Sequence, residues 1–258
     1  MATLILARHG RSTANATGVL AGRGKGVHLD EEGLAQARAA AGRLAGLELD
    51  AIVSSPLERC KETASEINKL QPGSLKVAHE RGLLECDYGS WTGKTLKSLA
   101  EEPLWRTVQA HPAAASFPDG ESMAAMMSRG VAAVRAWDAK IEAEHGPHAV
   151  WLAVSHADVI KSILADALGM HLDLFQRIVV DPSSMSVIRY TPLRPFVLAV
   201  NSVAGDLAGL KSAHKESARK SEQGGESLDS DAVVGGGDGT GTQAAGNGGV
   251  SRSRAPKA

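Results

Sequence analysis

Two histidines follow short apolar runs of the chain, a position from which an imidazole can act in catalysis. His9 comes two residues after the run 4–7, and His156 comes two residues after the run 150–154. Both runs are continuously apolar, as expected for strands of a parallel sheet that is covered on both faces. The carboxyl ends of parallel strands lie at one edge, where ligands bind, so the two histidines can converge. The alternative for either histidine alone is a structural role in the core.

Two arginines could bind an anion at the same edge. Arg8 directly precedes His9, and Arg59 follows the predicted strand over residues 51–53. Two guanidinium groups carry fixed positive charge and could hold one tetrahedral anion between them. The alternative for Arg59 is a surface position with the side chain extended into solvent.

The segment before Arg59 has the signals of a helix start. Ser55 can serve as N-cap, Pro56 suits the first helical position, and Glu58 completes a capping box. We therefore predict a helix over residues 56–70, which places Arg59 about one turn in, near His9.

Glu85 lies in the loop 83–93, which contains two glycines and an aromatic pair. Two leucines precede it, so we expect a partly desolvated carboxyl group with a raised pKa. Such a group can hold a proton at neutral pH and donate it. The alternative is a carboxylate that caps nearby backbone N–H groups.

The order of apolar runs and helical patterns predicts an α/β fold. We expect strands over residues 3–7, 51–53, 149–154, 183–190 and 196–200, and helices over 31–45, 56–70 and 158–168. A long amphipathic helix should bury one face, formed by Met123, Met127, Val131, Val134, Trp137 and Ile141. The predicted fold is a single-domain three-layer α/β/α sandwich with a mostly parallel central sheet.

The predicted domain covers residues 1–205, and residues 211–258 form a Gly-rich tail. This tail holds 10 of the 28 glycines, whereas all aromatic residues precede position 200. Its charges are nearly balanced, with seven basic and six acidic residues. We expect a disordered, flexible tail, with an active-site lid as the alternative.

Composition excludes several classes of protein. The 28 Lys+Arg and 29 Asp+Glu residues leave a net charge of −1, which gives no general attraction to nucleic acid or anionic membranes. No apolar run has the roughly 18–20 residues of a membrane helix. We expect a soluble, cytoplasmic protein in which Cys60 and Cys86 are reduced thiols. A homo-oligomer is possible, and the sequence leaves the oligomeric state open.

Taken together, five segments resemble branch 1 of the histidine phosphatase superfamily, the phosphoglycerate mutase-like group. The resemblance covers residues 3 to about 200 and excludes the tail. The matching segments are Arg8-His9-Gly10-Arg11-Ser12-Thr13 with Asn15, Leu29-x-x-Glu32-Gly33 with Gln36-Ala37, Ser54-Ser55-Pro56-x-x-Arg59 with Thr63-Ala64, the loop 85–93, and Val154-Ser155-His156.

The resemblance implies that His9 is a nucleophile that becomes transiently phosphorylated and that Glu85 is the proton donor. It also implies that the phosphoryl group is bound by Arg8, Asn15, Arg59 and His156. Two arginines and a protonated His156 would supply the positive charge that phosphoryl transfer requires, so no metal and no cofactor are expected.

The sequence departs from the family pattern at two positions. Arg11 stands where many members have Glu or Gln, and Ala157 stands where Gly often follows the second histidine. We expect Arg11 to contact the organic part of the substrate or to extend into solvent. The backbone N–H of Ala157, near a helix start, can still point at a phosphate oxygen.

The resemblance leaves a choice of activity. Phosphoglycerate mutases of this group have a longer insert before the second histidine and an ordered tail that shields the phosphohistidine from water. We therefore predict a metal-independent phosphomonoester hydrolase acting on a small phosphorylated metabolite. The alternatives are a phosphoglycerate-type phosphomutase, a non-catalytic member that binds phosphorylated ligands, and a phosphohistidine protein phosphatase, which is disfavoured because those relatives are shorter and lack the proton donor. The loops 11–28 and 101–119 should set substrate choice.

Overall fold

A six-stranded sheet forms the centre of the molecule in the computed structural model, which describes residues 2–203 and 234–237. The strands lie in the order β3-β2-β4-β1-β5-β6. The first four in chain order pair in parallel, and β5 and β6 pair antiparallel. The strands are β1 (Thr3–Arg8), β2 (Ala51–Ser54), β3 (Ala78–His79), β4 (Val150–Ser155), β5 (Met185–Arg189) and β6 (Phe196–Ser202).

Helices cover both faces of this sheet, which confirms the predicted α/β sandwich with a mostly parallel sheet. The α-helices are α1 (Thr13–Ala16), α2 (Glu31–Leu44), α3 (Glu58–Asn68), α4 (Leu96–Leu99), α5 (Pro103–Ala110), α6 (Met123–His145) and α7 (Ala157–Ala167). Short 3-10 turns lie at Arg81–Leu83, Gly89–Trp91, Pro112–Ala114 and Leu172–Arg177. One apolar core lies under α2 and α3, and a larger one lies under α6 and α7.

The register between β1 and β4 explains why the two histidines meet. Arg8 pairs with Ser155 at the last position of the parallel ladder. The next residue of each strand is a histidine, and the His9 N–H donates to the Ser155 carbonyl at 3.0 Å. Both histidines therefore leave the sheet at the same edge, as the sequence predicts.

The predicted cap of α3 is wrong. The helix begins at Glu58 and has Leu57 as N-cap, without a side-chain hydrogen bond. The Ser55 hydroxyl lies 2.8 Å from His156 Nε2 and forms a hydrogen bond there, so it does not cap the helix. Arg59 still lies in the first turn, as predicted.

The buried face of α6 is also shifted from the predicted one. Met127, Val131 and Trp137 are only partly buried. The fully buried positions are Met123, Met126, Gly130, Val134, Asp138 and Ile141. Gly130 explains the shift, because a Cβ atom there would already lie 3.3 Å from Val159 Cγ1 of α7. The missing side chain lets the two helices approach along this line.

Two glycines bring the start of α2 against the end of β1. A Cβ atom on Gly10 would lie 2.4 Å from the Gly33 carbonyl oxygen, and one on Gly33 would lie 1.9 Å from the Arg11 carbonyl oxygen. No side chain fits between these backbones. This close packing fixes the loop that follows His9.

The structure describes only part of the tail. Residues 204–233 and 238–258 lie outside the described residues, and so does most of the predicted flexible tail. Val234–Gly237 depart from the expectation of a solvated tail, since Val234 is only 1% exposed. Within the described ranges, no helix has the length and apolar character needed to cross a membrane.

Candidate active site

Five of the six predicted site residues are buried together at the carboxyl edge of the sheet. They are Arg8, His9, Arg59, Glu85 and His156. All five are charged or titratable, and none is more than 3% exposed. Asn15 lies at the rim, where it lines a cavity of about 200 Å³ together with His9, Arg59 and Glu85.

The His9 ring is held in one tautomer. Its Nδ1 lies 2.7 Å from the Gly10 carbonyl oxygen, which can only accept, so Nδ1 carries the proton. Nε2 is then the basic nitrogen of the neutral ring, and it accepts from Arg59 Nε at 3.2 Å. Burial, together with Arg59 and Arg8, holds the pKa of His9 well below its ordinary value. His9 is therefore neutral at pH 7, with the Nε2 lone pair directed toward Arg59.

Arg8 is a fully buried cation. Its Nη1 donates to the Val180 carbonyl at 2.8 Å, and its Nη2 donates to the Gly237 carbonyl at 2.7 Å. Burial lowers the pKa of Arg8 to about 10, so the guanidinium stays charged at pH 7. Its Nε–H is buried and has no hydrogen-bond partner in the part of the chain that the structure describes.

Arg59 approaches His9 from α3. Besides its bond to His9, it donates from Nη2 to the Gly22 carbonyl at 2.9 Å. Its buried Nη1 also finds no hydrogen-bond partner among the described residues. Arg8 and Arg59 thus each have one guanidinium nitrogen without a partner among the described residues. A buried donor without a partner is costly, which favours a bound anion at this place.

Hydrogen bonds fix both the backbone carbonyl and the side chain of Glu85. Its carbonyl oxygen accepts from Arg23 Nε at 2.9 Å and from Arg129 Nη2 at 3.0 Å. Its Oε1 accepts from the backbone N–H of Cys86 at 2.9 Å. Burial raises the pKa of Glu85 to about 7, and the Asp158 carboxylate adds to the rise. The direction agrees with the expectation from the leucines before it, and the carboxyl group is poised to exchange a proton near neutral pH.

His156 faces both His9 and Glu85. The two imidazole rings have centroids 5.2 Å apart, and His156 Nδ1 lies 3.9 Å from Glu85 Oε2. Burial, followed by the charge of Arg59, holds the pKa of His156 well below its ordinary value. The site without a bound anion therefore favours the neutral ring of His156. In that state the positive charge of the site comes from the two arginines.

Asn15 is oriented by its neighbour Ser12. The Ser12 backbone N–H and hydroxyl both donate to Asn15 Oδ1, at 3.1 and 2.8 Å. This fixes the amide so that its Nδ2 group is the end left to donate. The arrangement is compatible with an anion contact at the cavity rim.

The two departures from the family pattern have structural explanations. Arg11 forms ion pairs with Asp30 at 2.7 Å and with Glu32 at 3.5 Å, so it neither faces a substrate nor extends freely into solvent as expected. Ala157 is fully buried at the start of α7. A Cβ atom on Gly236 would lie 2.4 Å from the Ala157 Cβ, so the extra methyl group of Ala157 faces the described tail segment.

Sequence reasoning missed the charged residues that support Glu85. Arg129 and Arg23 both bind Glu121, at 2.6 and 2.8 Å, and this network holds the carbonyl of Glu85. No local pattern indicates this network, because Arg23, Glu121 and Arg129 are distant in sequence from Glu85. Asp158 could have been found from the sequence, since it lies two residues after His156. Its carboxylate accepts from the Tyr88 hydroxyl at 2.7 Å and contributes to the raised pKa of Glu85.

Four tail residues lie over one side of the site. The Gly235 N–H donates to Asp158 Oδ2 at 3.1 Å, while the Gly237 carbonyl accepts from Arg8. Val234–Gly237 also line the cavity beside His9. Apart from Val234, the segment is anchored by backbone N–H and C=O groups, and the composition of the tail does not indicate such contacts.

Comparison with known proteins gives the family. The sequence model of the histidine phosphatase superfamily (branch 1) matches residues 4–203. Phosphoserine phosphatase 1 of Hydrogenobacter thermophilus is 32% identical over 207 residues, which are 78% of this chain and 92% of that protein. A bifunctional protein of Mycobacterium tuberculosis is 33% identical over 189 residues, which are 72% of this chain and only 50% of that longer protein.

Solved structures agree with this fold. The phosphoserine phosphatase of Entamoeba histolytica, in complex with 3-phosphoglyceric acid, superposes with a TM-score of 0.70 at 24% identity and covers 79% of this chain and 98% of its own. A mycobacterial glucosyl-3-phosphoglycerate phosphatase gives a TM-score of 0.70 at 25% identity, covering 78% of this chain and 98% of its own. The chain belongs to branch 1 of the histidine phosphatase superfamily.

Proposed function

We propose that this chain is a metal-independent phosphomonoester hydrolase that works through a phosphohistidine on His9, with Glu85 as proton donor. The observation that carries the proposal is the unprotonated His9 Nε2 beside two buried guanidinium groups, each with one nitrogen that has no hydrogen-bond partner among the described residues. A nucleophilic nitrogen and two fixed cations at one point suit the transfer of a phosphoryl group. The relatives named as phosphatases support the reaction class.

In the first step, the phosphate of the substrate binds to Arg8, Arg59, Asn15 and His156. His9 Nε2 attacks phosphorus, so that a P–N bond forms while the P–O bond to the alcohol breaks. Glu85 gives its proton to the departing alcohol oxygen, and the two guanidinium groups neutralise the charge of the phosphoryl oxygens. Binding of a phosphate dianion also favours the protonated form of His156, because it places negative charge beside the ring.

In the second step, water attacks the phosphohistidine. Glu85, now ionised, takes a proton from that water, the P–N bond breaks, and inorganic phosphate leaves. The two steps restore neutral His9 and protonated Glu85. Arg8 and Arg59 supply the positive charge in both steps, so the proposed reaction requires no metal ion. A small phosphorylated metabolite is the proposed substrate.

The test is a panel of phosphomonoesters that includes phosphosugars, phosphoglycerates and nucleotides, assayed with and without EDTA. We expect release of inorganic phosphate at the same rate in both conditions. Transfer of the phosphoryl group between positions of a phosphoglycerate, without phosphate release, would favour the mutase instead. Tight binding of phosphate without any turnover would favour a non-catalytic member. Loss of activity in EDTA, restored by added metal, would contradict the proposed source of positive charge.

A further inference from the structure

The wall of the cavity beyond the reacting groups is almost entirely apolar. The side chains that form it are those of Val19, Leu20, Ala21, Tyr88 and Leu96, and Val234 of the tail segment lies against them. Tyr88 adds its ring and not a free hydroxyl, because its OH is bonded to the buried Asp158. On the proposed reaction, this wall is where the alcohol part of a phosphomonoester must lie, since the phosphate is bound at His9 and the arginines.

Among the described residues, no further cation faces the cavity to bind a second negative charge on the substrate. Among the described residues that line it, Arg59 is the only Lys or Arg, and it faces His9. The nearby Arg23 is already bound to Asp87 at 3.2 Å and to Glu121 at 2.8 Å. A carboxylate on the alcohol would therefore lose its water without gaining an ionic partner, which is unfavourable.

The chain itself shows that an apolar group fits here. Val234 is 1% exposed and belongs to the same buried cluster as Leu20 and Tyr88. A Cβ atom on the next residue, Gly235, would lie 3.0 Å from Leu20 Cδ1. A small uncharged branched group is thus accommodated against this wall.

We propose that the substrate is a phosphomonoester whose alcohol is uncharged and largely apolar. The proposal rests on the proposed hydrolase function and narrows its substrate class. It separates this chain from relatives whose names indicate substrates that carry a carboxylate, such as phosphoserine phosphatase 1. The residues proposed to select the alcohol come mainly from the segment 18–22 and from Leu96. The loop 101–119, which we also expected to set substrate choice, does not line the cavity.

The test compares kcat/KM of the full chain for three phosphate esters of primary alcohols, namely 3-phosphoglycerate, glycerol 3-phosphate and isobutyl phosphate. We expect isobutyl phosphate to exceed 3-phosphoglycerate by about tenfold or more, as the loss of one charged partner implies. Equal or better turnover of 3-phosphoglycerate would overturn the substrate class. Hydrolysis of p-nitrophenyl phosphate is measured in parallel. If it depends on His9 while 3-phosphoglycerate is preferred, the hydrolase stands and only the substrate class fails.

A substitution at Val19 tests the wall directly. In Val19→Lys, an added cation at the cavity should lower the preference for isobutyl phosphate over 3-phosphoglycerate by about tenfold. Val19→Met is the matched control, since it has similar length without charge, and it should keep the wild-type preference within about twofold. An unchanged preference in Val19→Lys, with p-nitrophenyl phosphate turnover intact, would show that this wall does not receive the alcohol.

A different contact carries a second inference. The Gly237 carbonyl takes up Arg8 Nη2, and the Gly235 N–H is bound to Asp158. Gly236 has φ +76°, and a Cβ atom there would lie 2.4 Å from Ala157 Cβ and 2.9 Å from Arg8 Cζ. Position 236 must therefore be glycine for the segment to lie over Arg8. We infer that Val234–Gly237 compete with the substrate phosphate for Arg8, as an internal inhibitor of the site.

Gly236→Ala in the full chain tests this competition, because the added methyl group cannot be accommodated over Arg8. We expect the Kd for inorganic phosphate, measured by calorimetry, to fall about three- to tenfold, since a larger share of the molecules then has an open site. Gly73→Ala is the matched control, because Gly73 has φ +77° with nothing within 4 Å of its added Cβ. An unchanged or weaker phosphate affinity in Gly236→Ala would overturn the inference. Since this readout is binding, it is independent of the proposed hydrolysis.

Discussion

His9→Ala abolishes turnover and leaves the fold intact: this is the largest effect we expect. The substitution removes the nitrogen that forms the P–N bond, so the phosphoenzyme route is lost. Removing a nucleophile that works with other groups can cost on the order of 10⁶ in kcat, as measured for another covalent hydrolase. The fold should survive, because His9 follows the last paired residue of β1 and its side chain bonds only within the site, to the Gly10 carbonyl and to Arg59.

Acid-labile labelling tests directly whether His9 carries the phosphoryl group. Wild-type protein quenched during turnover of a ³²P-labelled substrate should carry label that acid removes and alkali preserves, and His9→Ala should carry none. His148→Ala is the control, because His148 is exposed and precedes β4 at the end opposite to His156. Circular dichroism and Tm verify that His9→Ala is folded. Label on another residue, or near wild-type turnover by His9→Ala, contradicts the assignment of the nucleophile.

The tautomer of His9 explains why this nucleophile is ready at neutral pH. Nδ1–H is tied to the Gly10 carbonyl, and the flanking guanidinium groups disfavour a second proton on the ring. The same cations that will bind the phosphate thus keep Nε2 free to attack. Gly10 is held in turn by its contact with Gly33, so the tautomer depends on the close approach of α2.

The sheet and the position of the histidines could be predicted because they follow from strong local patterns. Continuous apolar runs of β1 and β4 identify parallel strands, and their parallel order brings His9 and His156 to one edge. In contrast, β3 is only two residues long, Ala78–His79, and such a short strand has no periodicity to detect. Its place at the sheet edge depends on pairing with β2.

Two expectations fail because one side chain has two competing partners. Ser55 suits a helix cap by position, but its hydroxyl bonds to His156. Arg11 follows the site motif by position, but Asp30 and Glu32 neutralise it. Local rules identify the chemical groups that are present. Which partner each group takes depends on the tertiary structure.

Val234–Gly237 show a further limit of sequence patterns. One valine among glycines gives no amphipathic signal, and the segment binds mainly through its backbone N–H and C=O groups. Every residue except proline carries both groups, so composition cannot distinguish this segment from solvated chain. What distinguishes this segment is the narrow space over Arg8, which admits only glycine at position 236.

Glu85→Gln should reduce hydrolysis of alkyl phosphates by about 10² to 10⁴ and affect p-nitrophenyl phosphate far less. An alkoxide is a poor leaving group unless its oxygen is protonated in the transition state, whereas nitrophenolate needs little such help. Gln keeps the size and hydrogen-bonding capacity of Glu but cannot release a proton. The change in the kcat/KM ratio of the two substrates therefore isolates proton donation from packing.

Asp87→Asn is the matched control for Glu85→Gln, because Asp87 is the nearest other carboxylate in the loop. It is paired with Arg23 at 3.2 Å and its side chain is 40% exposed, whereas Glu85 is buried beside His9. We expect Asp87→Asn to change both substrate classes to a similar, smaller extent. Equal losses on both leaving groups in Glu85→Gln would instead assign Glu85 to structure or phosphate binding. A selective loss on alkyl phosphates in Asp87→Asn would make Asp87 the donor.

The pH profile gives an independent measure of the same proton. Burial and Asp158 raise the pKa of Glu85 to about 7, so its acid form predominates below that pH and is lost as pH rises through it. The kcat/KM for an alkyl phosphate should therefore fall above about pH 7 in the wild type. The substrate phosphate also titrates, with a pKa of about 6, but it does so equally in every variant. Glu85→Gln should remove the alkaline fall specifically, because Gln has no proton to lose. If the fall persists in Glu85→Gln, another group donates the proton.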